Sequence, residues 1–166
     1  YYLGQAYAFT WQNNKIDLLF NGNHETNNID FDHYLKKLGY NFKNQSNELG
    51  GYVTLNNKKT SLIMDVGSSP DKKFSSNYQA GALSFEIISN GKKIICNSGY
   101  FQNSAHQLNE LSKSSAIHST LILDDRSSCK FIKSKNESSK ISHGLKILKK
   151  SIVFEKNYWK INASHD

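Results

Sequence analysis

The sequence is poor in several residues that mark whole classes of protein. It contains one proline, one methionine, two cysteines and a single arginine, Arg126. No apolar run approaches the roughly 18 residues of a membrane span. These shortages exclude a collagen-like chain and a transmembrane bundle, while nine Phe and nine Tyr exclude wholesale disorder. A chain of 166 residues forms one domain of ordinary size, which buries about two-thirds of the surface that its unfolded chain exposes.

The two cysteines, Cys96 and Cys129, have no metal-binding spacing and lie in apolar, strand-like surroundings. Buried free thiols are therefore expected in place of a disulfide. The chain opens at Tyr1 with no initiator methionine and ends at Asp166 inside a predicted strand. We expect it to be part of a longer protein, incomplete at both ends, so that a missing signal peptide indicates nothing about its compartment.

Positive charge is concentrated in one segment. Residues 126–160 carry nine Lys and one Arg against only Glu137 and Glu155, a local charge of +8 that leaves −1 for the rest of the chain. Lysine attracts polyanions, but it lacks the planar fork with which arginine binds phosphate or guanine in a bidentate manner. We therefore expect no nucleic-acid partner. We expect this segment to form a solvated surface with lysines guarding strand edges.

Alternation of apolar and polar residues predicts a mostly β chain. The strongest local signal is Asn90-Gly91 between strands at 82–89 and 92–96, because both central residues of a type I′ turn need positive φ. A hairpin turn at 56–59 joins two more strands. We predict one domain over residues 1–166, an antiparallel two-sheet sandwich. The remaining predicted strands are 15–20, 52–55, 61–64, 119–123, 129–132, 151–156 and 158–163.

Two segments have helical character. Asp30 is a candidate N-cap, followed by apolar residues at helical spacing (Phe31, Tyr34, Leu35, Leu38) and a stop at Gly39. This pattern predicts one short helix inserted between strands. Residues 105–115 are helix or loop, with Leu108 and Leu111 on one side.

Among six histidines, His118 is the candidate for chemistry. It follows the small residues Ser114-Ser115-Ala116 and opens the predicted strand 119–123, where an imidazole can serve as a ligand or a base at a sheet edge. The alternative is a hydrogen-bonded histidine at a strand start. His24, His33 and His143 stand on polar segments and are expected to be exposed. Asp124-Asp125 is expected to form a tight turn, because adjacent strand residues point to opposite faces and cannot share one site.

Three segments in order resemble the signature of the heparinase II/III-like family. They are Leu83-Ser84-Phe85-Glu86, the stretch Asn90-Gly91-Lys92-Lys93-Ile94-Ile95-Cys96-Asn97-Ser98-Gly99, and Ala116-Ile117-His118-Ser119-Thr120-Leu121. The family pattern is H-x-H-x-D-x-L-S-F-E, a β-hairpin, V-D-x-G, a variable loop and A-x-H-N/S-T. The resemblance is densest over residues 77–125.

The resemblance implies a polysaccharide lyase that acts on uronate-containing acidic glycans by β-elimination. In that family a helical toroid precedes the β-sandwich, supplies the tyrosine that acts as acid and base, and forms one wall of the polysaccharide cleft. It therefore implies two partners, an acidic polysaccharide and an upstream toroid domain of the same protein, and a location in the periplasm or cell envelope. The 166 residues alone are expected to be inactive. The alternative is a non-catalytic carbohydrate-binding or structural β-sandwich.

The resemblance also assigns site residues. The paired histidines of the pattern fall on Asn77 and Gln79, its first aspartate on Gly81, its metal-binding aspartate on Asn97, and its last histidine on His118. This assignment implies a catalytic His118, substrate-binding Asn77 and Gln79, and a degenerate metal set of Gln79, Asn97 and His118. Family members with metal hold zinc through histidine, aspartate and histidine. Because amide oxygens are weaker zinc ligands than imidazole or carboxylate, no zinc or only weakly bound zinc is expected here.

Overall fold

The structure is a computed structural model that describes residues 9–12, 15–18, 37, 39, 47–101, 103, 105–133 and 139–166. Within these residues all strand pairs are antiparallel. The strands are β1 (Phe9–Gln12), β2 (Lys15–Leu18), β3 (Glu48–Leu49), β4 (Tyr52–Asn56), β5 (Thr60–Asp65), β6 (Phe85–Ser89), β7 (Lys92–Ile95), β8 (Lys130–Ile132), β9 (Lys140–His143), β10 (Ile147–Phe154) and β11 (Trp159–His165).

The largest sheet has five strands in the order β3-β4-β5-β6-β7. Both predicted hairpins belong to it. Asn90 and Gly91 have φ values of 48° and 75°, which confirms the turn that joins β6 to β7. In the β4–β5 turn the Asn57 side-chain oxygen accepts the backbone N–H groups of Lys59 and Thr60. Three two-stranded sheets, β1-β2, β8-β9 and β10-β11, complete the described strands.

One face of the five-stranded sheet carries the main core and packs against β10 and β11. Val53 and Leu55 project from β4 to this face and are 0% and 1% exposed. With Val66 they form a cluster that apolar side chains of β10 and β11 cover: Ile152, Trp159, Ile161 and Ala163. This contact between two antiparallel layers confirms the predicted mostly β, sandwich-type fold.

The opposite face of the five-stranded sheet is buried as well, but it is partly polar. Strand alternation and the register place Tyr52, Asp65, Ile63 and Glu86 on this face. Ile63 and Ile88 form a small buried cluster there, with Tyr52 against it. Burying acidic groups between apolar side chains perturbs their ionisation, which bears on the site described below.

The strand predicted at 119–123 is wrong. His118 ends a 3-10 helix (Ser115–Ile117), and the N–H of Thr120 donates to the His118 carbonyl at 2.8 Å, so the chain turns where an extended strand was expected. Only an isolated bridge pairs Leu123 with Arg126 around Asp124-Asp125. Both aspartates have positive φ, which confirms the predicted tight turn.

The described residues include the short α-helix α1 (Gln107–Leu111) and a second 3-10 helix at Lys72–Phe74. The helix α1 lies inside the predicted 105–115 segment, although Leu108 and Leu111 are exposed and its buried residue is Asn109. Of the helix predicted at 30–39, the structure describes only Lys37, which is helical, and Gly39, a turn residue with a φ of 73°, and both agree with the prediction. No helix in the described part of the chain has the length and apolarity that a membrane span requires.

Both cysteines are free, as predicted. Cys129 is buried in a second apolar cluster with Ala80, Ala82 and Leu145. Cys96, however, is exposed, so the expectation that both thiols are buried is wrong for this residue. It lies just beyond the end of β7, where the burial pattern of the strand is mainly exposed.

Replacing Leu55 by alanine tests the sandwich core. Leu55→Ala is expected to lower the free energy of unfolding by about 2–5 kcal/mol, because it leaves a cavity between the two layers. The control is Leu121→Ala at a residue that is 80% exposed, which should change stability by less than about 0.5 kcal/mol. Chemical denaturation measures both. Equal effects of the two substitutions would refute this packing.

Candidate functional site

The candidate site lies at one end of the five-stranded sheet. β4 and β6 begin at this end, and β5 and β7 finish there, because the strands are antiparallel. Residues 117–120 cross the same end. The Ile117 carbonyl accepts the Ser98 N–H at 3.1 Å, and the Ser119 carbonyl accepts the Phe85 N–H at 3.3 Å. The sheet end therefore carries the segment that contains His118.

Side-chain hydroxyls attach this segment further. Ser119 Oγ donates to the Cys96 carbonyl at 3.0 Å, and Thr120 Oγ1 donates to the Ala82 carbonyl at 2.6 Å. Ser and Thr hydroxyls compete in this way with strand ladders for backbone groups. The bonds explain why 119–123 is not a strand.

Asn97 is the centre of the hydrogen-bond network. Its Oδ1 accepts the N–H of Ser119 at 2.8 Å, and its Nδ2 donates to Ser84 Oγ at 3.4 Å. Its backbone N–H donates to Glu86 Oε1 at 3.0 Å. Asn97 thus joins the start of β6 to the residue that follows His118.

The His118 ring is buried, with 8% of the residue exposed. Neither ring nitrogen has a hydrogen-bond partner in the described part of the structure. Burial lowers the pKa of His118 to about 4, so the imidazole is neutral at physiological pH. A Cβ added to Gly81 would lie 3.3 Å from the ring and 3.2 Å from Ser84 Oγ, so glycine at this position leaves room for both.

The structure brings together only some of the predicted site residues. Asn97 and His118 share one network through Ser119. Asn77 makes a separate contact, since its Oδ1 accepts the Tyr100 hydroxyl at 3.3 Å. Gln79 is half-buried, and its carbonyl accepts the N–H of Gly81 at 2.8 Å. No hydrogen bond among the described residues links the Gln79 side chain to Asn97 or His118.

The residues assigned to a metal fit zinc poorly. In the network Asn97 accepts from Ser119 with its Oδ1 and donates to Ser84 with its Nδ2. Both ends of this amide are therefore already used in hydrogen bonds within the protein and are not available to a metal. Gln79 offers a second neutral amide, and His118 is the one imidazole of the set. Among the described residues no group of three or more His, Cys, Asp or Glu side chains could hold a metal ion. Tetrahedral zinc sites use imidazole, thiolate and carboxylate ligands, which this set lacks apart from His118.

Sequence reasoning missed two carboxylates beside this network, the half-buried Asp65 and the buried Glu86. Burial raises the pKa of Asp65 to about 7, although the Gly67 N–H, 2.9 Å from Oδ1, opposes the shift. Burial also raises the pKa of Glu86, opposed by the Asn97 N–H and by Lys93. The pKa of Tyr52, on the same face, is raised by its burial and by the charges of both carboxylates. A charged residue at an inward position of an alternating strand was the available signal.

A family model of the heparinase II/III-like C-terminal domain matches residues 44–166. The chain belongs to the heparinase II/III-like family. The match covers the five-stranded sheet, the network around Asn97, and the layer formed by β10 and β11. The match confirms the family, and the C-terminal portion of it, that the resemblance implied. No curated protein and no solved structure matches the chain.

The raised pKa of Asp65 predicts a pH-dependent stability. Between about pH 4 and pH 7 the folded protein holds a proton on Asp65 that the unfolded chain has released. The stability that this group contributes is therefore highest below pH 4 and falls as the pH rises to 7. Asp65→Asn removes this loss while keeping an acceptor for the Gly67 N–H. We expect the free energy of unfolding of this variant, relative to that of the unsubstituted protein, to increase as the pH rises from 4 to 7. Denaturation measured at a series of pH values checks this. A constant difference would contradict the burial of the carboxylate.

The pH dependence of stability that His118 causes has the opposite sign. Because its pKa is lowered in the folded protein, the unfolded chain takes up a proton between pH 6.5 and about 4 that the folded protein does not. The stability that this group contributes is therefore present above pH 6.5 and is lost as the pH falls. His118→Gln is therefore expected to gain stability relative to the unsubstituted protein as pH falls through this window. The same denaturation series measures it, and a flat difference would show that the ring is solvated.

Proposed function

We propose that this chain is the β-sandwich domain of a polysaccharide lyase that cleaves uronate-containing acidic glycans by β-elimination. The observation that carries the proposal is the buried, neutral imidazole of His118, held beside Asn97 in a domain of the heparinase II/III-like family. In the family the active cleft has a second wall made by a helical toroid. The proposed activity is therefore that of the full-length protein.

The reaction needs a base that is neutral before substrate binds. A lyase removes the proton on the carbon next to the uronate carboxylate, the electron pair forms a C=C bond, and the glycosidic oxygen leaves with its bonding pair. In this proposal His118, in place of the toroid tyrosine, accepts that proton, because its ring nitrogens have no competing partner among the described residues. A substrate carboxylate beside the ring would raise its pKa and favour proton uptake. Protonation of the leaving oxygen falls to a group outside the sandwich.

The charge of the domain supports an acidic substrate. Lysines of the 126–160 segment are exposed on and around β8, β10 and β11: Lys130, Lys133, Lys146, Lys149, Lys150, Lys156 and Lys160. A surface of one sign raises the local concentration of an oppositely charged polymer and its association rate. Uronate polymers carry a carboxylate on each acidic sugar, so a lysine-rich surface favours them over neutral glycans.

We propose that turnover does not depend on zinc held by this domain. Asn77 and Gln79 can donate hydrogen bonds to a sugar carboxylate through their amide nitrogens, whereas the amide oxygens of Gln79 and Asn97 compete poorly for zinc. Charge on the carboxylate in the transition state must then be met by hydrogen-bond donors, each typically contributing roughly 100- to 1000-fold in rate.

The second candidate is a non-catalytic carbohydrate-binding sandwich. It is favoured by the amides at 77 and 79, which stand where the family pattern has histidines and preserve hydrogen bonding to sugars better than catalysis. Binding of uronate polymers on a glycan array without unsaturated products would support this candidate over the first.

The full-length protein provides the test of the lyase. Incubated with a panel of uronate polymers, it is expected to form products whose new C=C bond absorbs in the ultraviolet. His118→Gln should reduce this rate by at least about 100-fold, the typical contribution of a positioned general base. The matched control is His143→Gln, at an exposed histidine of β9, which should retain the rate. A flat trace with every polymer would reject the lyase assignment.

Metal removal gives a separate prediction. Prolonged dialysis of the full-length protein against a zinc chelator is expected to change its rate less than twofold, roughly, because the donors of this domain do not form a tight zinc site. Metal analysis of the purified protein should find zinc well below one atom per chain. Loss of activity that added zinc restores would contradict the prediction.

A further inference from the structure

Glu86 is a buried carboxylate that the proposed reaction does not use. It is 3% exposed on β6, and its Oε1 accepts the Asn97 N–H at 3.0 Å. Its second oxygen, Oε2, has no hydrogen-bond partner among the described residues. Burying a carboxylate with incomplete hydrogen bonding is costly, so a glutamate here calls for a specific explanation.

The location of Asn97 supplies that explanation. β7 ends at Ile95, and its pairing with β6 is shifted between Ile87 and Ile88. The Asn97 N–H therefore lies beyond the ladder, and the Glu86 side chain accepts it where a strand carbonyl would otherwise do so. The Asn97 backbone is thus fixed to β6 by a side chain.

From Asn97 the connection continues to His118. Asn97 Oδ1 accepts the N–H of Ser119, the residue next to His118, at 2.8 Å. We infer that Glu86 is a positioning residue, which fixes Asn97 so that its amide holds Ser119 and orients the His118 imidazole. The consequence for turnover rests on the proposed lyase function, whereas the hydrogen-bond chain does not.

The hydrogen-bond chain from Glu86 through Asn97 to Ser119 needs an acceptor oxygen on residue 86, but it does not need a negative charge there. The groups that face Glu86 are the Asn97 N–H and Lys93, which oppose the effect of burial on its pKa. One carboxyl oxygen accepts the Asn97 N–H whether or not the other carries a proton. Glu86→Gln preserves such an oxygen and Glu86→Met removes it at similar volume, so the two variants separate acceptor from size.

Amide hydrogen exchange, measured by NMR on the protein of residues 1–166, tests this hydrogen-bond chain directly. In Glu86→Met the amides of Asn97 and Ser119 should exchange at least about tenfold faster, as expected for the loss of a hydrogen bond to a carboxylate. In Glu86→Gln they should remain near their original rates. Asp65→Asn, which removes another carboxylate of the same face, is the matched control and should leave both amides unchanged. The amide of Leu55 in β4 reports global opening.

A second variant keeps the inference testable if Glu86→Met does not fold. Asn97→Ala should accelerate exchange at Ser119, because the Oδ1 acceptor is lost, while the amide at position 97 stays protected by Glu86. In the full-length protein, Glu86→Met should lower kcat with little change in KM, and Glu86→Gln should retain most of kcat.

The outcomes distinguish the positioning role of Glu86 from the proposed lyase function. Protected amides in Glu86→Met, or equal exchange in the Gln and Met variants, would overturn the positioning role even in an active lyase. Absence of turnover in the unsubstituted protein would overturn the proposed function and leave the exchange result as the measure of the hydrogen-bond chain.

Discussion

The segment that carries His118 has no place in a strand ladder, and side-chain hydrogen bonds add to two backbone hydrogen bonds in holding it at the end of the sheet. Asn97 accepts from Ser119, Ser119 reaches back to the Cys96 carbonyl, and Thr120 reaches the Ala82 carbonyl. One hydrogen bond contributes only about 0.5–1.5 kcal/mol net, so several are needed to order such a segment against its conformational entropy. The position of the imidazole depends on this attachment.

The two faces of the five-stranded sheet differ in the side chains that they bury. Val53 and Leu55 point toward β10 and β11 and provide the apolar contact between layers. The alternate positions carry Asp65 and Glu86 on the other face. Because side chains alternate with a period of two, a register slip of one residue would place the acids in the core, so the apolar face also fixes where the acids lie.

The sequence was informative where local chemistry determines structure. Asn90-Gly91 and Asp124-Asp125 predicted tight turns correctly, because positive φ is a local property of these residues. The strand predicted at 119–123 failed because its Ser and Thr hydroxyls bind carbonyls more than twenty residues away, a contact that no local pattern records. In the same way, His118 could be singled out from its motif, but its burial and its link to Asn97 depend on residues distant in the chain. Glu86 was visible only as one letter of the family signature.

The amide at position 97 and the carboxylate at position 86 are physically consistent with each other. Asn97 accepts with Oδ1 and donates with Nδ2, and both functions are used. An aspartate in its place would accept only, and it would bring a second negative charge to a backbone already bonded to the Glu86 carboxylate. Two carboxylates in one buried site raise each other's pKa unless a cation compensates them. An asparagine avoids that repulsion, so the network can keep its geometry through hydrogen bonds among the chain's own residues.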